Sequence, residues 1–343
     1  MIKKITQTIT KLFIIFVFIF LNIQNVYSLV KLDGFVLDEF DDAVCNSGSP
    51  ASYYLKINDP NKYAVLIAGG GSAYSDEVYR KRKPFLKLSS VYDYKNTSIN
   101  KFNIFDSFDE NNYSIIFLPY CSSDVHMGSH QRNIDGKEVF FNGKIIFESL
   151  LKKFNKELSK AEELVFGGYS AGSIAIAGNL EKISKLQNPN TRFILDSYWL
   201  DEEESKVRKN WSKEVLNYLH PSFPDDCANM IDCYPSKNRF MKYNYKDLFV
   251  IWNVEDQFRR SKNVSKFKKL IKADINFFGA GISFDESVIL SGNFRSLTPQ
   301  GNTTSHVVLF ESSFYQEING IKIKDVFDNW LLKKNKNKIL INF

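Results

Sequence analysis

Short, unbroken apolar runs alternate with stretches of helical periodicity along most of this chain. Ala64 to Gly71 (AVLIAGGG) and Ser114 to Tyr120 (SIIFLPY) are apolar and end in turn residues, the pattern of buried strands that hand over to loops at their C-terminal ends. Between Asn142 and Lys160, apolar residues at Ile145, Ile146, Leu150, Leu151, Phe154 and Leu158 recur at helical spacing, and ELVFGG then predicts another strand. After Ser170, AGSIAIAGNLEKI combines small and apolar residues without proline, which predicts a helix packed closely on a sheet. RFILDSYWL and DLFVIWNVED read as strands, KFKKLIK as a helix, HVVLFESSFY as a strand or loop, and Lys324 to Lys334 as an amphipathic closing helix. Alternating strands and helices predict an α/β fold, a mostly parallel central sheet with helices on both faces. Residues 201–245 interrupt the alternation with an acidic run, prolines, two cysteines and several aromatics, and are expected to form a cap or lid insertion.

The N-terminus has a different pattern. Three lysines precede an apolar run from Leu12 to Leu21, with small or neutral residues at Val26 and Ser28, which predicts a signal peptide over residues 1–28 cleaved after Ser28. The run is about 10 residues, short of the roughly 20 that a spanning helix needs, so no stable membrane insertion is expected after cleavage. Residues 29–343 are then expected to form a single secreted domain. Lys3, Lys4 and Lys11 supply three of the formal +6 charges, and the remaining charges are interleaved in sign, so nothing argues for a nucleic-acid partner.

Four cysteines, Cys45, Cys121, Cys227 and Cys233, lie beyond the signal, an even number in a chain expected to pass through an oxidising compartment. Two disulfides are expected. The short Cys227/Cys233 spacing suggests a local staple, which leaves Cys45 for Cys121, although four cysteines allow three connectivities. Without a C-x-x-C pair zinc is not expected, and His126 and His130, spaced i and i+4, lie in a glycine-containing loop with no evident third ligand. Sequons at Asn96, Asn112, Asn210, Asn263 and Asn302 are compatible with glycosylation.

The candidate chemistry centres on Gly168-Tyr169-Ser170-Ala171-Gly172, a G-x-S-x-G motif between a predicted strand and a predicted helix. A serine on so sharp a turn needs tiny neighbours, because its backbone is strained and both flanks are crowded. The alternative is a structural glycine turn. A serine hydroxyl becomes a nucleophile only when a histidine takes its proton and an acid orients that histidine, in the chain order serine, acid, histidine for this strand–helix motif. Downstream of Ser170 lie His220, before proline in the expected cap, and His306, in a Ser/Thr/Gly-rich loop near the closing helix; His306 is the better base. FVIWNVED ends in two carboxylates, of which Asp256 is chosen as the acid and Glu255 is the alternative. Backbone N–H groups for an oxyanion hole are expected from Ala171 and from the loop Gly69-Gly70-Gly71, which follows a strand and lacks the lysine and hydroxyl residue of a phosphate-binding loop.

CNSGSPASYYLK (Cys45 to Lys56), LIAGGG, FLPYCSSDVHMG (Phe117 to Gly128) and GGYSAGS, with the regions around Asp256 and His306, resemble the Notum and pectin acetylesterase family of secreted α/β hydrolases. The resemblance covers most of residues 29–343. It implies an α/β-hydrolase fold, a Ser170/Asp256/His306 triad, an oxyanion hole from Gly70, Gly71 and Ala171, a Cys45–Cys121 disulfide and ester hydrolysis without metal or organic cofactor. Substrates in this family are O-acylated proteins or polysaccharides. Gly71 and His126 stand where Notum proteins have tryptophan, and most of the family's further cysteines are absent. The expected function is therefore a secreted serine carboxylesterase acting through an acyl-enzyme on a protein- or lipid-linked acyl group. The alternatives are a polysaccharide O-acetylesterase and, in another class, a catalytically silent secreted binding protein.

Overall fold

In the computed structural model the described residues are 34–86, 104–198, 213–215, 217–219, 227, 230–245, 247–253, 288–292, 295–298, 301–304, 306–310, 312–333 and 339–342. The expected signal peptide, the KFKKLIK helix, His220 and both candidate acids, Glu255 and Asp256, lie outside them. The strands in chain order are β1 (Val36–Val44), β2 (Pro50–Lys56), β3 (Asp59–Ile67), β4 (Tyr113–Leu118), β5 (His130–Ile134), β6 (Lys137–Phe141), β7 (Glu163–Tyr169), β8 (Thr191–Asp196), β9 (Leu248–Asn253), β10 (Val288–Gly292), β11 (Arg295–Thr298), β12 (Gly301–Thr304), β13 (Glu317–Ile318), β14 (Ile321–Lys322) and β15 (Ile339–Asn342).

Nine of these form one sheet in the order β1-β2-β4-β3-β7-β8-β9-β10-β15. From β4 to β15 every neighbouring pair is parallel; the two pairings of β2 are antiparallel. Every residue of β4, β8 and β9 is buried, because the sheet is covered on both faces, and this is why these strands read as continuous apolar runs. Alternate residues of one strand feed two cores: Ile115 and Phe117 join Leu66, Phe249, Phe327 and Trp330 on one face, and Ile116 and Leu118 join Ile67, Phe147, Leu150 and Phe166 on the other. The helix Gly143–Lys153 covers the second face, and the helices Ile104–Glu110 and Ile323–Leu331 cover the first.

Several elements differ from what periodicity predicts. The helix expected across 142–160 divides at Phe154, whose ring is buried 5.2 Å from that of Tyr53, into Gly143–Lys153 and Asn155–Lys160. Of the two forms expected for HVVLFESSFY, strand or loop, the described residues take the second: Val307–Phe310 is a buried loop, and Ser312–Tyr315 forms a 3-10 turn. The closing helix does not end the fold, since β15 follows it and extends the sheet beyond β10. At the other edge, β1 carries Asp38, Glu39, Asp41 and Asp42, an acidic fringe of the kind that discourages edge-to-edge pairing and hides the strand from a hydrophobicity reading. Within 201–245 the described residues pack on the sheet body. The rings of Phe240 and Tyr245 lie 5.3 and 4.6 Å from that of Phe193, and Arg239 Nε donates to Ala177 O at 2.8 Å.

Disulfides join Cys45 to Cys121 and Cys227 to Cys233. Among the described residues no helix is long and apolar enough to cross a membrane.

One buried cation ties the last helix to the sheet. Arg192, on β8, donates to Trp330 O at 3.1 Å, Leu331 O and Tyr113 Oη at 3.0 Å, and the Glu163 carboxylate at 3.2 Å, with its guanidinium 4.9 Å from the centre of the Trp330 ring. It satisfies two of the C-terminal carbonyls that a helix leaves unpaired. Arg192→Ala is expected to destabilise the protein by about 3 kcal/mol or more, because it leaves buried acceptors unpaired. Arg80→Ala, which removes an exposed, solvent-screened pair with Asp135, should leave stability close to that of the parent. Chemical denaturation of the two variants checks the contrast.

Candidate active site

β7 ends at Tyr169, and the helix Ala171–Gly178 begins two residues later. Ser170 makes the turn at φ 51 and ψ −118, a conformation disfavoured for a residue with a side chain. It persists because its surroundings hold it: Ser170 N donates to Asp196 O at 2.9 Å, and Ser173 Oγ donates to Gly168 O at 2.7 Å and Asp196 O at 3.0 Å. The flanks have no room for side chains. A Cβ on Gly168 would lie 2.4 Å from the carbonyl carbon of Gly172, and one on Gly172 would lie 2.2 Å from Ile67 O at the end of β3. Gly69, just beyond β3, is equally confined, for a Cβ there would stand 2.1 Å from Tyr169 O and 2.9 Å from Ser170 Cβ. The glycine loop Gly69–Gly71 therefore lies directly against the serine turn.

His306 Nε2 lies 2.8 Å from Ser170 Oγ, across 136 residues of sequence. The histidine follows β12 and leads into the buried segment Val307–Phe310. That segment is held by Asp196 at the end of β8. One carboxylate oxygen accepts N–H from Val308 at 3.0 Å and Leu309 at 2.7 Å, the other is 3.1 Å from Val308 N, and Ser197 Oγ donates to the same group. A loop whose N–H groups are taken by a carboxylate has no need of a strand partner, which explains why Val307–Phe310 is not a strand. Asp196 is fully buried; burial pushes its pKa up to about 7, against the opposing pull of these hydrogen bonds and of nearby His306. Sequence reading did not single out Asp196, although RFILD ends in a carboxylate just as FVIWNVED does.

Of the remaining expected residues, Ala171 is buried as the first residue of the helix, and Gly70 and Gly71 follow Gly69 in the adjacent loop, Gly71 at φ 71. Asp256 and Glu255 lie outside the described residues, three and two positions beyond the end of β9. His126 and His130 are not directed at one another's ligand: His126 Nε2 is 3.0 Å from Ala68 O, and His130 stacks on Phe141 at 5.1 Å. Among the described residues no group of three or more His, Cys, Asp or Glu side chains is arranged to hold a metal ion.

Fold and site together define an α/β-hydrolase fold with a serine–histidine pair at its strand-to-helix turn. The chain belongs to the pectinacetylesterase family, whose model matches residues 27–260. The human palmitoleoyl-protein carboxylesterase NOTUM is 29% identical over 206 residues, 56% of this chain and 38% of that protein. A zebrafish protein named inactive palmitoleoyl-protein carboxylesterase notum1b is 32% identical over 91 residues, 25% of this chain and 66% of that protein. The chain matches less than half the length of the mammalian relatives. The solved structure of the Wnt deacylase Notum from Drosophila superposes with a TM-score of 0.66 at 19% identity, covering 88% of this chain and 94% of that one, and carries the fold.

The pKa of Asp196 sets a sign for pH dependence. With a folded value of about 7 above the ordinary 3.8, the folded protein holds a proton that the unfolded chain has released between these values. The contribution of Asp196 to stability is therefore full below the ordinary value, falls as pH rises to about 7, and is constant above it. The amide introduced by Asp196→Asn does not titrate, so the stability of that variant relative to the parent should rise by up to about 1.4 kcal/mol per pH unit in that window. Urea denaturation of both proteins at about pH 5, 7 and 9 measures this; a gap independent of pH would show that Asp196 titrates as an ordinary carboxylate.

Proposed function

We propose that the protein is an exported serine carboxylesterase that hydrolyses an O-acyl ester through an acyl-enzyme. The observation that carries this reading is the 2.8 Å contact between His306 Nε2 and Ser170 Oγ at a serine held in a strained turn whose flanking glycines have no room for a side chain. In the proposed reaction His306 accepts the Ser170 proton as Oγ adds to the ester carbonyl, and the protonated imidazole then donates to the departing alkoxide. Water, deprotonated by the same histidine, releases the acid and restores the serine. Asp256 is the proposed acid that orients the imidazole, with Glu255 as its alternative. The N–H groups of Gly70, Gly71 and Ala171 are the proposed oxyanion donors, a role supported by the closeness of the glycine loop to Ser170. No step calls for a metal or an organic cofactor.

The relatives named for palmitoleoyl-protein hydrolysis and the family named for pectin acetyl groups bracket the substrate class. A protein- or lipid-linked acyl chain is the preferred substrate. Tyr169, immediately before the serine, packs 4.8 Å from Phe310, four residues after His306, so aromatic surface lies beside the pair. A longer acyl chain gains more from such surface than acetate does. Export is supported by the N-terminal pattern and by the two disulfides. A second reading, a non-catalytic binding protein, is favoured by the match to a relative named as inactive.

Hydrolysis of p-nitrophenyl esters from acetate to palmitate by the exported protein and by Ser170→Ala separates these readings. The parent is expected to be most active on medium or long chains, and Ser170→Ala to lose at least about 10⁴-fold in kcat while keeping its circular dichroism spectrum. Acetate-only activity would assign the polysaccharide deacetylase alternative. Equal rates for the two proteins would remove Ser170 as the nucleophile.

A further inference from the structure

Three consecutive glycines make the Gly69–Gly71 loop the most pliable backbone near Ser170, since glycine has the widest choice of φ and ψ and loses the most entropy when fixed. An oxyanion donor has to be in place before charge develops, so a loop of this composition needs partners outside itself to hold its peptide planes. Two side chains do so on either side of Gly71. Arg82, from the helix Asp76–Leu86, donates through Nη2 to Gly70 O at 2.6 Å. Tyr120, fully buried at the end of the segment after β4, lies with its hydroxyl 2.8 Å from Gly71 O.

The polarity of the tyrosine contact is forced. Val125 N–H lies 2.6 Å from the same hydroxyl and can only donate, while Gly71 O can only accept, so the hydroxyl proton points to Gly71. A trans peptide is planar, with its C=O and the following N–H on opposite sides. Fixing Gly70 O on Arg82 therefore turns the Gly71 N–H to the face opposite Arg82, and fixing Gly71 O on Tyr120 sets the next plane. Gly71 is gripped from both directions in the left-handed region, at φ 71. The template is itself rigid. The Tyr120 ring lies 4.5 Å from that of His126, His126 Nε2 reaches Ala68 O, Ala73 N donates to Ser123 O at 2.8 Å, and the buried Asp124 carboxylate accepts from Gly143 N, His126 N and Ser122 Oγ. Burial holds His126 neutral, with its pKa pushed down to about 4, so it donates one N–H to Ala68 O at working pH.

We propose that Arg82 and Tyr120 are positioning residues of the esterase reaction, locking the two peptide planes that flank Gly71 so that its N–H meets the oxyanion. The role rests on the serine-esterase reading above. It is distinct from packing, because the lost interaction is one made with the transition state and not with the substrate.

The test uses the full exported protein, p-nitrophenyl butyrate as substrate and a trifluoromethyl ketone as inhibitor. Ser170 Oγ adds to the ketone carbon, its proton passes to His306, and the adduct carries an alkoxide where the oxyanion would be. Arg82→Met and Tyr120→Phe are expected to lower kcat by about 10- to 100-fold with KM changed by less than about threefold, and to weaken the ketone by the same factor as kcat/KM. Arg82→Lys, which keeps one donor, should recover part of both losses. Burst titration counts competent sites, so a fall in folded fraction is not read as a fall in rate, and partly exposed Arg82 serves as the probe should Tyr120→Phe fold poorly. Parent-like kcat in Arg82→Met, or a loss of kcat with unchanged ketone affinity, would overturn the positioning role alone. Absence of Ser170-dependent hydrolysis in the parent would remove the esterase reading and this role with it.

Discussion

Three backbone segments meet around Ser170 at distances that leave no space for a β-carbon. The end of β3, the last residues of β7 and the first turn of the following helix approach within contacts of 2.1–2.4 Å of where side chains on Gly69, Gly168 and Gly172 would stand. Glycine at these points is a packing requirement. It lets the helix Ala171–Gly178 pack so closely on the strand ends that all of its residues are buried, and it brings the Gly69–Gly71 loop against the serine. The strained φ of Ser170 follows from the same compression and is held by hydrogen bonds to the end of β8.

Around this steric centre the protein places buried polar groups where the chain must be steered without regular pairing. Asp196 gathers the N–H groups of the loop that carries His306, Asp124 gathers those of the loop beneath the glycines, and Arg192 gathers the terminal carbonyls of the last helix. Each solves one problem: irregular backbone buried from water needs partners, and a side chain with several donors or acceptors supplies them from one position. The cost is desolvation, visible in the raised pKa values of both carboxylates, about 6 for Asp124 and about 7 for Asp196. The loops around the serine are thus anchored by groups poorly suited to a core but well suited to fixing loop geometry.

The two disulfides sit in the same scheme. Cys45–Cys121 fastens the loop after β1 to the segment that carries Tyr120 and Asp124, where Asn46 also donates to Ser122 O and Phe140 O. The edge of the sheet and the support of the glycine loop are therefore covalently one unit, and β1 with its acidic fringe is more than an ornament to the parallel core. Cys227–Cys233 acts locally, within residues 201–245, whose described parts pack against Phe193 and the helix Ala171–Gly178.

Strands β3, β4, β7, β8 and β9, the helices after Asn142 and after Ser170, the closing helix and the glycine-flanked serine were legible in the sequence because each is a local pattern: an unbroken apolar run, a 3.6-residue period, small residues around one serine. Chain order also separated His306 from His220, which left His306 legible as the candidate partner of Ser170. What the linear pattern did not hold was any relation between distant groups. That Ser170 Oγ meets His306 Nε2, that Asp196 grips Val308 and Leu309 across 112 and 113 residues, and that Tyr120 turns its proton on Gly71 depend on the path of the whole sheet. Strands β1 and β15 were equally hidden, one acidic and one short, each a strand because a neighbour offers it hydrogen bonds. Periodicity reports which face of an element is buried; only the folded chain decides which carbonyls and N–H groups are left over and which side chain comes to meet them.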